Sequence, residues 1–161
     1  MRRALLGALV AALCGCGYST GTLIPRGYRT IAVPVFDNTT HRHDIEWELT
    51  RAVVEEINSR TALRVVDPAD SPDLVLNGTL VDADEEVLSH MARQRIRESA
   101  YFLTAEIEVT DAHSGKALVK RSRVTERESF VPQIGEDVRT AREEAGRALA
   151  ERIVERLESA W

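Results

Sequence analysis

Four groups of side chains in this sequence have the types and spacing for chemistry. Cys14 and Cys16 are the only two cysteines, and both stand near the start of the chain; a thiol is a nucleophile that can accept an acyl group. Arg93, Arg95 and Arg97 alternate along the chain. On an extended backbone they share one side and form a local site for phosphate or carboxylate oxygens. Pairing with Glu98 or with the acids at 84–86 is the competing reading of those arginines. His41 and His43 form an H-x-H pair that supplies two corners of a metal site, but no third ligand follows, and solvated loop histidines are the simpler account. Asp82, Asp84, Glu85 and Glu86 crowd four acids together. General acid–base catalysis would need one of them in a cleft with a displaced pKa, and an exposed charge run is the ordinary alternative. There is no glycine-rich phosphate loop, nucleophile elbow or zinc-protease helix motif. The sequence therefore names no catalytic residue, metal site or cofactor, and points away from an enzyme.

What precedes Cys16 assigns its thiol a role. Arg2 and Arg3 are followed by an uncharged apolar run from Ala4 to Leu13, which is ten residues. A membrane-spanning helix needs about 20, so the run reads as a removable secretory signal. Its end resembles a bacterial lipobox, in which Leu lies three residues before the modified Cys and a small residue directly before it. Leu13 and Gly15 meet both demands for Cys16, whereas Cys14 would have bulky Leu13 before it. The expected organisation is a lipoprotein signal peptide over residues 1–15, a lipidated start and tether over 16–27, and one α/β domain over 28–161. Acylation also explains an otherwise odd thiol in an oxidising compartment. One acyl chain, at ~0.8 kcal/mol per buried methylene, holds a protein only marginally, so stable attachment needs more than one. An ordinary secreted protein with incidental cysteines is the alternative.

Cleavage before Cys16 leaves 146 residues, enough for one domain with a core. Loss of Arg2 and Arg3 takes the formal charge from −5 to −7, which makes nucleic acid a poor partner. Apolar residues at 43% and charged residues at 29% are those of a folded globular chain. Lys116 and Lys120 are the only lysines among 21 basic residues. That skew by itself decides nothing.

The elements that must position these groups follow from periodicity. Tyr28 to Phe36 is β-rich, with Ile31, Val33 and Val35 on one face. Pro34 cannot donate to a ladder, so this strand should lie at an edge or carry a bulge. From Asp44 to Asn58 the apolar residues Ile45, Leu49, Ala52, Val53 and Ile57 form one helical stripe. A short apolar run, Leu63 to Val66, precedes a turn-rich segment at 67–72. Asp73 to Asp82 reads as a long strand that can run on to Leu88, with the arginine turn after it. Tyr101 to Thr110 alternates, with Tyr101, Leu103, Ala105, Ile107 and Val109 inward. A hairpin loop at 111–116 leads to a more polar strand over 117–130, and 136–159 forms a second helix. The expected fold is α+β, with two helices packed on one face of a four-stranded mixed β-sheet in the order β-α-β-β-β-α. The other sheet face is left to solvent, a partner or a ligand.

Taken together, the lipobox running into C-G-Y, then I-A-V-P-V-F-D-N-T-T, an acidic amphipathic helix, L-V-L-N-G-T-L, Y-F-L-T-A-E-I-E-V and a long closing helix resemble the LPS-assembly lipoprotein family, LptE. The resemblance spans essentially the whole mature chain, and its specificity lies in the combination. It implies two helices on a four-stranded mixed sheet, matching the order above. It also implies an outer-membrane lipoprotein, facing the periplasm on acyl chains at Cys16, that plugs an LptD-like β-barrel and helps lipopolysaccharide reach the outer leaflet. Basic residues in the turn before the third strand, which contact lipopolysaccharide in the family, match Arg93, Arg95 and Arg97. The family's second basic position, in the loop before the last helix, has no counterpart, because Glu128 to Val138 contains no Lys or Arg. Lys120 is the substitute, with Lys116, Arg121 and Arg123 beside it. Gly17 after the acylated Cys, rather than Asp, fits export to the outer membrane. I-A-V-P-V-F-D-N also resembles the first strand of curli-type secretion-channel lipoproteins and of lipoprotein activators of peptidoglycan synthases.

Overall fold

A computed structural model of the chain describes residues 27–90, 97–131 and 137–159. The strand that begins the domain is interrupted at its proline. Thr30–Ala32 (β1) and Asp37–Asn38 (β2) both run parallel to the next long strand, Leu74–His90 (β4). Ala32 pairs with Val75 and Asp37 with Thr79, so five steps on one side oppose four on the other. The segment around Pro34 therefore holds one extra residue, as a chain that cannot donate there requires. That residue reverses the alternation beyond it. Ile31 is buried, but Phe36 takes the inward position expected of Val35, which is 40% exposed.

Two close contacts stabilise the break. The Phe36 N–H, which has lost its ladder partner, donates to Thr50 Oγ1 at 3.0 Å, while that hydroxyl donates to the Glu46 carbonyl at 2.6 Å. The Phe36 ring packs against Gly78 of β4. A Cβ at Gly78 would fall 2.3 Å from Phe36 Cε2, so only glycine leaves room for the ring.

Ile45–Arg60 forms the first helix, α1. Its stripe is as expected, with Ile45, Leu49, Val53 and Ile57 buried. Asp44 sits in the left-handed region at φ 72° and makes no side-chain cap. Glu46 folds back in its place: its carboxylate accepts the N–H groups of Asp44 and Glu46 and the Asn38 amide, and is held below the usual carboxylate range by those bonds. Arg64–Val65 (β3) pairs parallel with β1, and a single 3₁₀ turn at Pro68–Asp70 leads into β4. Arg97–Asp111 (β5) and Ala117–Phe130 (β6) complete an antiparallel meander, and Val138–Glu158 forms α2.

The mixed sheet thus has six strands in the order β3-β1-β4-β5-β6, with β2 also on β4, rather than the four expected. The bulge at Pro34 divides one expected strand in two, and the Leu63–Val66 run becomes a short edge strand instead of a connection. The element order is accordingly β-β-α-β-β-β-β-α, not β-α-β-β-β-α. Glu48 pairs with Arg142 in the first turns of the two helices and Arg60 with Glu158 in the last, at 3.2 and 3.1 Å, so the helices run side by side in the same direction. Their stripes bury Tyr101, Leu103, Ala105, Ile107 and Val109 of β5 in a shared core. The opposite sheet face carries Phe102, Glu106 and Glu108 of β5 beside Arg123, Thr125 and Arg127 of β6. No helix among the described residues is long and apolar enough to cross a membrane.

Candidate functional site

β4 and β5 pair from Leu74–Asp111 at one end to His90–Arg97 at the other. Arg97 opens β5 in register with His90. Arg93, Arg95 and Cys16 lie outside the described residues. The first turns of α1 and α2 lie toward the same end. The acids at Asp82, Asp84, Glu85 and Glu86 line β4 there and are exposed.

The structure does not bring Lys120 to this end. Lys120 lies in a bulge of β6 between Val119, which pairs with Val109, and Ser122, which pairs with Ile107. From Arg97 to that level of β5 is ten to twelve residues, roughly 35 Å of strand. Lys116 and Arg121 lie at the same distant end, and Arg123 is engaged by Glu106 at 2.8 Å. Arg127 is nearer the Arg97 end, where its Nη2 donates to Ser129 Oγ at 2.9 Å. His41 and His43 are exposed on the loop from β2 to α1, and no three His, Cys, Asp or Glu among the described residues come together as a metal site.

That loop holds a residue the sequence reading passed over. Arg42 is fixed in place between the two histidines. Its Nε donates to the Ala83 carbonyl at 3.0 Å, and its guanidinium carbon lies 5.6 Å from the centre of the Tyr101 ring. Its own carbonyl accepts the Asn38 amide at 2.6 Å. Tyr101 is fully buried, its hydroxyl has no hydrogen-bond partner among the described residues, and burial raises its pKa. The D-N-T-T turn was the available signal, since an Asn at a strand end ties down the backbone that follows it.

At the opposite end, where residue 27 joins the domain, a second polar cluster fastens the entry of the chain. Asp73 Oδ2 accepts the N–H groups of Arg29 and Thr30 and the Thr30 hydroxyl at 2.8–2.9 Å, and these bonds lower its pKa. Tyr28 donates its hydroxyl to Asp111 Oδ2 at 2.9 Å. Asp111 is lowered to about 2, first by the Ser114 N–H and then by Tyr28.

This arrangement of elements is found in other solved structures. A hypothetical protein from Chlamydia trachomatis matches with a TM-score of 0.60 at 10% identity, over 83% of this chain and 97% of that one. Uncharacterized lipoprotein B from Nitrosomonas europaea matches at 0.57 with 14% identity, over 86% of this chain and 87% of that one. The PelC dodecamer from Paraburkholderia phytofirmans matches at 0.54 with 12% identity, over 86% and 92%. At such identities the likeness is one of fold. No curated protein matches the chain. The sequence profile of LptE, described as lipopolysaccharide-assembly, matches residues 28–160; over nearly its whole domain, then, the chain belongs to the LptE family.

Proposed function

We propose that the chain is a non-enzymatic outer-membrane lipoprotein that loses residues 1–15, is acylated on Cys16, and assembles as a plug with an LptD-like β-barrel. In that complex it helps deliver lipopolysaccharide to the outer leaflet. The family match over residues 28–160 carries this reading. The six-stranded sheet supports it too, with a helix-free face of alternating Glu, Thr and Arg suited to a wet lumen. Arg93, Arg95 and Arg97, the last of which opens β5, are the primary contact for lipid A phosphates. Lys120, roughly 35 Å away along the strand, can reach only a different part of so large a ligand. Gentle detergent extraction should co-purify a large β-barrel with the protein, and mass spectrometry should find fatty acid on the mature amino terminus. A lone monomer with a bare amino terminus would overturn the proposal.

The fold likeness to a dodecamer favours one second reading, a ring-forming envelope lipoprotein of the secretion-channel kind. A high-mass species of this chain alone in size exclusion would select it.

A further inference from the structure

Among the described residues, the guanidinium of Arg42 is held by neutral groups alone. Its Nε is bound to a carbonyl and its plane rests near an aromatic ring. Its backbone N–H is bound to Thr40 Oγ1 at 3.2 Å, and its carbonyl to Asn38. Arginines that order a surface usually do so against a carboxylate, as Arg60, Arg142 and Arg152 do here. Arg42 makes no ion pair among the described residues, although the domain is acidic. Asp82 and Asp84 flank Ala83 but alternate to the other sheet face. Glu85, in register with Tyr101, makes no bond to Arg42. Arg127 also bonds a neutral group, but through an Nη. Among the described arginines, Arg42 is the one whose Nε bonds a neutral acceptor, where Arg51, Arg139 and Arg152 turn theirs to carboxylates, and both its Nη groups are left without a partner among the described residues.

That is the geometry of a fork prepared for a tetrahedral or planar anion. The side-chain entropy that an arginine normally loses on binding has already been lost in folding. We propose that Arg42 binds a phosphate group, its two Nη groups gripping the oxygens of a phosphomonoester. The proposal rests on the lipopolysaccharide reading above, and on that reading the phosphate is one carried by the lipid. Arg42 then supplies the second cationic contact that the loop before α2 lacks in this chain.

The test uses the full acylated protein in its extraction detergent, with intact lipopolysaccharide, enzymatically dephosphorylated lipopolysaccharide and inorganic phosphate as probes. R42Q should lower affinity for the intact lipid about tenfold or more, as loss of a charged hydrogen-bond pair does, and leave affinity for the dephosphorylated lipid unchanged. R42K should fall as well, because an ammonium cannot hold Ala83 and present a fork. Competition by inorganic phosphate in the wild type, lost in R42Q, would show that the phosphate group suffices. Sensitivity to R42Q without such competition would assign a lipid-borne phosphate. In the wild type, the lipid should also shield Arg42 from an arginine-specific dicarbonyl reagent, with exposed Arg147 as the control; this readout needs no variant to fold. Unchanged affinity in R42Q, equal losses for both lipids, or no shielding would overturn the assignment of Arg42 while leaving the functional reading in place. A wild type that binds neither lipid would overturn both.

Discussion

Replacing Gly78 by alanine tests whether the break at Pro34 is organised as described. The new Cβ would stand 2.3 Å from Phe36 Cε2 and 2.5 Å from both Cδ2 and Cζ, against the 3.5–4.0 Å of a normal carbon contact. The ring would have to withdraw by more than an ångström. Its residue is 2% exposed, and its N–H is tied to Thr50, so little room exists to withdraw. Overpacking of this kind costs about 1–3 kcal/mol. Removing a strand glycine returns about 0.5–1 kcal/mol, so Gly78→Ala should destabilise by about 1–2 kcal/mol, a melting-point drop of roughly 3–6 °C at this size. Phe36→Ala alone should cost about 3–5 kcal/mol. In that background the clash is gone, and Gly78→Ala should stabilise by the glycine term alone. Chemical denaturation of the four proteins of the cycle, followed by circular dichroism, reads the coupling, which should be about 2 kcal/mol. Equal costs of Gly78→Ala in both backgrounds would refute the contact.

Thr50→Val keeps the shape but strands the Phe36 N–H, and should cost about 1–3 kcal/mol in the same assay, whereas Thr50→Ser should cost much less. Gly146 of α2 is the opposite case to Gly78, since a Cβ there would meet only Leu103 Cδ1 at an ordinary 3.9 Å; Gly146→Ala should raise stability by about 0.5–1 kcal/mol, and a loss would show that the packing beneath α2 is misjudged. Asp111 has a folded pKa of about 2, below its ordinary 3.8. In that interval the unfolded chain binds more protons, so the contribution of Asp111 is complete above about pH 4 and is lost as pH falls toward 2. Acid titration of the melting temperature should fall less steeply in Asp111→Asn than in wild type, and parallel curves would contradict the assignment.

The long periodic segments of this fold were legible because periodicity reports burial directly. The α1 stripe and the alternation of β5 from Tyr101 to Val109 came through with their faces correct. What escaped was governed by a single residue of phase. The proline announced a bulge, but not that Phe36 instead of Val35 would turn inward, because the cavity that receives the ring is made by Gly78 more than forty residues away. β3 was too short to carry a period at all. Among the candidate residues, Arg93, Arg95 and Arg97 were singled out by spacing, while Lys120 was grouped with them by type alone, and strand register separates it from Arg97. Arg42 carries no signal of spacing; its distinction lies in the carbonyl and the ring that hold it, and both belong to other strands.

The polar fastening at Tyr28 and Asp73 lies at one extremity of the hairpin and the His90–Arg97 pair at the other. The seventeen residues of β4, at about 3.3 Å each, make a strut roughly 55 Å long, against a bilayer hydrocarbon thickness of about 30 Å. If the chain is acylated on Cys16 as proposed, a strut of that length is taller than the hydrocarbon layer is thick. Lengthening or shortening the hairpin by two residue pairs should move its far end by about 7 Å while leaving the foot where it is.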